Sequence, residues 1–247
     1  MTIVLASAWI PYVAPIKDAG IAGQFKFLTR RGPWVILAAV FTGNAGVFCW
    51  WSYVSPWLQK TGGWSSSLVP MLMMLAGFGM VIGGLLGGRL TDHWRHAGAA
   101  AIGQSISCLG LLLVLITPGN QPMTAVLTFW IAIGLFFTSA PQQLLMTEAG
   151  QGGGELIAGA AVQVAFNFGN AIGSIVGGAM LTTFSMNYRY TGLGGMPLAL
   201  LAVGLLAFYS WRCETDTDAI HACAKPRWTE TKLTANSLTC LFTVLID

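Results

Sequence analysis

Residues 97–147 read AGAAAIGQSISCLGLLLVLITPGNQPMTAVLTFWIAIGLFFTSAPQQLLMT, a stretch without one charged side chain. A helix needs roughly 20 apolar residues to cross about 30 Å of hydrocarbon, so this stretch holds two passes. Between them Thr117-Pro118-Gly119-Asn120-Gln121-Pro122 supplies the turn. Working outward, Pro33–Gln59, Thr61–Gly88, Leu156–Tyr188 and Tyr190–Trp211 are also free of charge. The expected fold is therefore an all-α, polytopic integral membrane protein with six spans near 33–57, 67–89, 97–117, 123–146, 156–184 and 193–212.

Composition excludes most alternatives. Only 9% of the residues are charged and 55% are hydrophobic, far from a soluble domain, and the 31 glycines and 10 tryptophans suit close helix packing and interfacial rings. The lipid bilayer is thus the expected partner. A net charge of +3 without a basic run does not suit nucleic acid. Cys49, Cys108, Cys213, Cys223 and Cys240 have no CxxC spacing, so neither a metal site nor a disulfide framework is expected. No Walker loop, GxSxG or HExxH occurs, and His93, His96 and His221 have no catalytic partner at a telling spacing. An enzyme, a cofactor and a catalytic residue are therefore not expected.

Residues 1–16 are apolar but short for a span and read as the remnant of a preceding helix; residues 17–32 read as a cytoplasmic linker, and 213–247 as a polar, disordered cytoplasmic tail. Lys17, Lys26, Arg30, Arg31, Arg89, Arg95 and Arg212 fall on one side of the expected spans, against Lys60 and Arg189 on the other. The excess places both chain ends in the cytoplasm.

Two sets of glycines, Gly79, Gly83, Gly87 and Gly169, Gly173, Gly177, recur every fourth residue. Each set lies on one helix face and allows a neighbouring backbone to come close. In the fifth span Gln163, Asn167, Asn170 and Ser174 form a polar stripe. Amides in hydrocarbon either hydrogen-bond to a neighbouring helix or line a wet cavity, and the stripe suits both. Asn44, Trp50, Trp51 and Tyr53 suit an opposing cavity wall or, for the rings, an interfacial anchor. In the fourth span Pro141 removes a backbone donor beside Gln142 and Gln143, which suits a gate. No Asp, Glu, Lys, Arg or His lies well inside any span, and Glu148 and Glu155 read as helix-end charges.

The sequence Gly88-Arg89-Leu90-Thr91-Asp92-His93-Trp94-Arg95-His96 resembles the second copy of the loop signature of the major facilitator superfamily, with Gly88, Leu90 and Asp92 matching. Gly43-Asn44-Ala45-Gly46-Val47-Phe48, Ser139-Ala140-Pro141 and Phe166-Asn167-Phe168-Gly169-Asn170 look like helices seven, ten and eleven of its arabinose efflux permease group, among the twelve-span drug:proton antiporters. The resemblance implies the second six-helix half of a transporter in the bacterial inner membrane, without its N-terminal six-helix half. It further implies export of a sugar or drug-like small molecule in exchange for protons, with the Gly88–Asp92 loop as a conformational latch. The alternative is a truncated, non-transporting membrane protein or assembly partner.

Overall fold

The computed structural model describes residues 23–117, 119–151 and 154–214. The expected helix remnant at 1–16 and the tail beyond Glu214 lie outside the described residues. Where the chain passes through lipid each backbone polar group must be satisfied within the protein, and the apolar runs meet this by forming helices. These are α1 (Arg31–Trp51), α2 (Val54–Lys60), α3 (Val69–His93), α4 (His96–Ile116), α5 (Gln121–Ala149), α6 (Glu155–Thr183) and α7 (Thr191–Tyr209). A short 3₁₀ turn, Lys26–Thr29, precedes α1; another, Tyr188–Tyr190, precedes α7; a π turn, Ser210–Glu214, follows α7. With α2 continuing α1, six helices are long and apolar enough to cross a membrane. Each of the six expected spans falls on one of them.

Helix ends follow local chemistry. Pro70 and Pro122 stand in the first turns of α3 and α5, where a missing N–H costs nothing. At the far end of α4 the Arg189 guanidinium donates to the carbonyls of Thr117 (2.6 Å) and Leu115 (3.2 Å), satisfying groups that the helix leaves without partners. After α6, Ser185 and Met186 both have positive φ, and the Met186 N–H donates to the Leu181 carbonyl, closing that helix.

Packing is organised by the two glycine sets. Gly79, Gly83 and Gly87 of α3 lie on the backbone at Phe129, Ile133 and Phe137 of α5; Gly169, Gly173 and Gly177 of α6 lie on the backbone at Phe41, Ala45 and Cys49 of α1. A methyl at Gly79 would come within 2.9 Å of the Phe129 carbonyl, and one at Gly169 within 2.6 Å of the Phe41 carbonyl. At the other four positions it would overlap the facing carbonyl outright. The helix α7 packs on α1 and α4, and α4 on α5, completing the bundle.

The two seams repeat one arrangement. Phe129, Ile133 and Phe137 follow Phe41, Ala45 and Cys49 at one constant separation, and Gly169, Gly173 and Gly177 follow Gly79, Gly83 and Gly87 at a separation only two residues longer. Because successive spans reverse direction, α1 and α5 run oppositely, as do α3 and α6. The first three spans and the last three therefore form an inverted repeat.

The interior has three layers. One apolar cluster, containing Trp50, Trp57, Leu111 and Ile131, fills the end near Trp64; a second, containing Ile36, Val40, Met146 and Leu206, fills the end near Arg30. Between them lie the buried polar residues Asn44, Gln104, Ser107, Thr138 and Gln142. Outside, α3 and α6 are the least buried spans, and α3 exposes Met71, Met74, Phe78, Val81 and Leu85.

The seam predicts a contrast between adjacent glycines. Gly83→Ala sets a methyl against the Ile133 backbone and is expected to cost about 1–3 kcal/mol by overpacking. Gly84 has nothing within 4 Å of such a methyl, so Gly84→Ala is expected to gain up to about 1 kcal/mol of helix propensity. Thermal unfolding of the two variants in detergent, followed by tryptophan fluorescence, checks both signs.

Candidate functional site

The polar stripe of α6 is divided by its surroundings. Gln163 and Asn167 are exposed, and the Asn167 amide donates only to the Gln163 carbonyl of its own helix (2.7 Å). Farther along, Asn170 and Ser174 turn partly inward. The Ser174 hydroxyl donates to the Asn170 carbonyl (2.8 Å) and shares a 2.6 Å hydrogen bond with the Ser52 hydroxyl. The Tyr53 hydroxyl donates to the Ser174 carbonyl (2.9 Å), and its ring lies across Gly177 and Gly178. The Asn170 side-chain oxygen is buried without a partner. On the helix, the stripe lies between the seam held by Gly169, Gly173 and Gly177 and an exposed apolar face with Val164, Phe168 and Ile175.

The inverted repeat gives this stripe a counterpart. On α3 the equivalent face carries Met73, Gly77, Met80, Gly84 and Gly88, and a methyl added at any of the three glycines would meet no neighbouring atom within 4 Å. Part of a face on each of the least buried spans, the three glycines of α3 and Gln163 and Asn167 of α6, is thus left open while the seam beside it is closed.

The first-span candidates separate. Asn44 is 5% exposed, with its amide donating to the Val40 carbonyl (2.8 Å), and it lies beside Gly169 at the seam. Trp50 is fully buried and packs edge-on to Trp57 at 5.1 Å, making it a core residue rather than an anchor or a cavity wall. Trp51 is half-buried against Trp50. In α5, Gln143 is exposed and its amide reaches the Gly159 carbonyl of α6 at 3.4 Å, whereas Gln142 is 3% exposed and its amide nitrogen has no partner. The middle polar layer also contains three residues that the sequence did not single out: Gln104, whose amide reaches the Gly43 carbonyl (3.4 Å), Ser107 and Thr138. In α4 Gln104, Ser105 and Ser107 stand close together, and the sequence alone does not say that Gln104 and Ser107 are buried while Ser105 is exposed.

The larger cavity lies elsewhere. A cleft of about 870 Å³ opens at the end near Arg30, lined by residues that include Arg30, Asp92, Trp94, Arg95, Glu148 and Tyr209. Asp92 lies in the last turn of α3 rather than on a loop as the sequence suggested and is exposed, and His96 at the start of α4 shares a 2.8 Å hydrogen bond with the Glu148 carboxylate of α5. The pair is part-exposed, so its strength is about 1 kcal/mol or less and it opens easily. Fifty-odd residues separate the two groups in sequence, and only the antiparallel packing of α4 on α5 brings them together. Gly88 and Leu90 sit in the last turns of α3, where Gly87 fixes the helix to α5 and Thr91 is buried with its hydroxyl on the Gly87 carbonyl (2.6 Å). Among the described residues no group of His, Cys, Asp or Glu is arranged to hold a metal ion.

The sequence matches the Major Facilitator Superfamily over residues 2–158. It is 38% identical over 201 residues to "Putative transporter AraJ" of Escherichia coli (strain K12), covering 81% of this chain and 50% of that protein. It is 28% identical over 188 residues to the inner membrane transport protein YdhP of Escherichia coli (strain K12), covering 74% of this chain and 46% of the relative. Its fold is similar to that of a bacterial homologue of the human lysosomal transporter Spinster, solved inward-facing and unoccupied, with a TM-score of 0.52 at 16% identity over 90% of this chain and 54% of that one. The chain spans about half the length of the curated relatives it matches. Six membrane-crossing helices in an inverted repeat, the signature residues Gly88, Leu90 and Asp92 at the end of α3, and this sequence match place the chain in the major facilitator superfamily, a family of membrane transporters and not of enzymes.

Proposed function

We propose that this chain is one six-helix half of a transporter that exports a sugar or drug-like small molecule in exchange for protons, and that it works only against an N-terminal half. The observation that carries this reading is the pair of open stripes. Gly77, Gly84 and Gly88 on α3, and Gln163 and Asn167 on α6, are left open beside seams packed to backbone contact, with Asn170 and Ser174 half-buried next to them. Small and polar surfaces gain little from lipid but pack or hydrogen-bond well against another helix or a wet cavity. The match to only 50% of a longer relative supports a further part of the transporter as the partner for those faces.

The rest of the assignment follows from charge. Lys26, Arg30, Arg31, Arg89, Arg95 and Arg212 gather at the end that holds the 870 Å³ cleft, against Lys60 and Arg189 at the other, which suits a cytoplasmic position for that end in a bacterial inner membrane. In this orientation the Gly88–Asp92 segment is a latch on the inner face, with Asp92 free to meet the other half and His96 and Glu148 beside it. The described acidic residues Asp92, Glu148, Glu155 and Glu214 all sit at helix ends. The proton-carrying group is therefore assigned to the other half, and Asn167, Asn170, Gln163 and Ser174 to substrate contact.

Reconstitution in lipid vesicles tests the whole reading. The chain alone is expected to leave an imposed pH gradient intact when sugars or cationic drugs are added, and to dissipate it when co-reconstituted with the first half of the AraJ relative. Exchange by the chain alone would overturn the half-transporter assignment, and no exchange by the pair would favour the truncated, non-transporting alternative. In the paired system, Asn167→Leu is expected to lower flux about tenfold, the loss of one or two substrate hydrogen bonds, with the same amount of protein in the membrane; unchanged flux would return the stripe to helix packing. A separate expectation concerns the Gly88–Asp92 segment. Asp92→Asn should alter the accessibility of reporter cysteines on the two faces in opposite directions, and equal accessibility in both proteins would remove the latch.

A further inference from the structure

The cleft at the end near Arg30 has features that the signature residues do not explain. Two of its walls are aromatic, and both rings are seated on glycine. Tyr209 of α7 lies on Gly32 in the first turn of α1, its ring 3.5 Å from where a methyl would stand, and Trp94 lies on Gly98 in the first turn of α4, at 3.1 Å. Arg30 and Arg95, the residues that immediately precede α1 and α4, line the same space, the first exposed and the second half-buried. Neither helix has an acidic residue or a side-chain cap in its first turn, so their positive ends add to the field of the two guanidiniums. The carboxylates on the lining are Asp92 and Glu148, and Glu148 already shares a hydrogen bond with His96 (2.8 Å).

The depth of the cleft follows from the rings around it. Trp34, Trp94 and Trp211 stand at the same end of the bundle and are 58%, 49% and 76% exposed. Exposed tryptophans at the ends of spans mark the level of the lipid headgroups. A cleft at that level with two guanidiniums meets phosphodiesters before other anions, and basic pockets between spans hold such headgroups. Lys26, Arg31, Arg89 and Arg212 at the same end make the wider field positive, which favours a net anion over a zwitterion. The two carboxylates restrict the headgroup further. An anion without donors would face Asp92 and Glu148 unfavourably, whereas hydroxyls on the headgroup donate to them while the phosphate takes the guanidiniums. We propose that this cleft binds a phosphoglycerol lipid headgroup. The phosphate lies between Arg30 and Arg95, the glycerol hydroxyls turn to Asp92 and Glu148, and the upper acyl carbons run along Trp94 and Tyr209. The volume of about 870 Å³ suits a headgroup together with its ester region. The site depends on the membrane-spanning fold and not on the direction or cargo of transport.

Native mass spectrometry of the full chain in nonionic detergent, titrated with short-chain lipids, tests the site. Phosphatidylglycerol is expected to bind about tenfold tighter than phosphatidylcholine or phosphatidylethanolamine. Arg30→Gln combined with Arg95→Gln removes the charge-assisted bonds and should erase this preference. Arg89→Gln combined with Arg212→Gln is an equal loss of charge at the same end, on exposed residues off the cleft, and should lower it about twofold at most because distant exposed charges are screened. Phosphatidylmethanol, an anionic diester without hydroxyls, should bind about fivefold more weakly than phosphatidylglycerol, the worth of one hydrogen bond. Equal binding of phosphatidylglycerol and phosphatidylethanolamine, or an equal response of the two double variants, would overturn the site. Phosphatidylmethanol binding as tightly as phosphatidylglycerol would overturn the contacts to Asp92 and Glu148. Displacement by glycerophosphoglycerol, the headgroup without chains, at equal concentration would overturn a lipid as the ligand. Vesicle flux reads the transporter assignment alone: its absence leaves the lipid preference standing, whereas flux in a chain with no such preference overturns the site and spares the transporter.

Discussion

In hydrocarbon two helices gain nothing by hiding leucines from lipid that is equally apolar, so their adhesion depends on how closely their backbones meet. In this fold that closeness is supplied at glycines, three on α3 and three on α6 in regular sets, with Gly46 and Gly195 doing the same between α1 and α7. The two regular sets place the residues discussed next. With α3 fixed to α5, the segment Gly88–Asp92 is carried to the end of α5 where Glu148 meets His96; with α6 fixed to α1, Ser174 is carried to Ser52 and Tyr53. Residues without side chains thus decide which side chains become neighbours.

The same constraint explains why the polar stripe of α6 and the open glycines of α3 belong to one account. A seam uses one face of a helix and leaves the next face, about a third of a turn away, only partly covered. On α3 that next face is lined by Gly77, Met80, Gly84 and Gly88, and on α6 by Asn167, Asn170 and Ser174, of which Ser174 is held by Ser52 and Tyr53. The repeat has kept the backbone geometry and changed the chemistry, from bare backbone on one span to amides and a hydroxyl on the other. A second six-helix unit meeting these faces would touch α3 through close packing and α6 through hydrogen bonds. This difference is what the Asn167 variant reads.

Hydropathy made the six spans legible because length and absence of charge are local properties, and each expected span lies on a helix of the structure. The glycine spacing was legible for a similar reason, since the helical period fixes which residues share a face. Partners were not. Nothing in the sequence says that Gly83 meets Ile133 or that Gly173 meets Ala45, because those meetings depend on how the spans are arranged around one another. The His96 contact to Glu148 was hidden likewise, as two helix-end residues on different spans. The aromatic residues near the end of α1 were read as an anchor or a cavity wall, yet Trp50 is buried in the core. A ring at that depth faces lipid or protein according to its position around the helix, and the two-residue break after Trp51 shifts that position for all that follows.

That break also changes what an interrupted helix means here. Pro141 announces a kink through its missing N–H, whereas Ser52 and Tyr53 announce nothing, since both residues are tolerated within helices. The interruption at Tyr53 is held from outside, by a phenol on the Ser174 carbonyl and by a ring lying over two glycines that offer no side chain to resist it. One break is therefore intrinsic to its own helix and the other is imposed by a neighbour. An intrinsic break persists whatever the surroundings do, but an imposed one lasts only while its clamp is in place. The Ser52 and Tyr53 contacts to Ser174 therefore set the shape of the first span, whereas the missing N–H of Pro141 is a fixed property of α5.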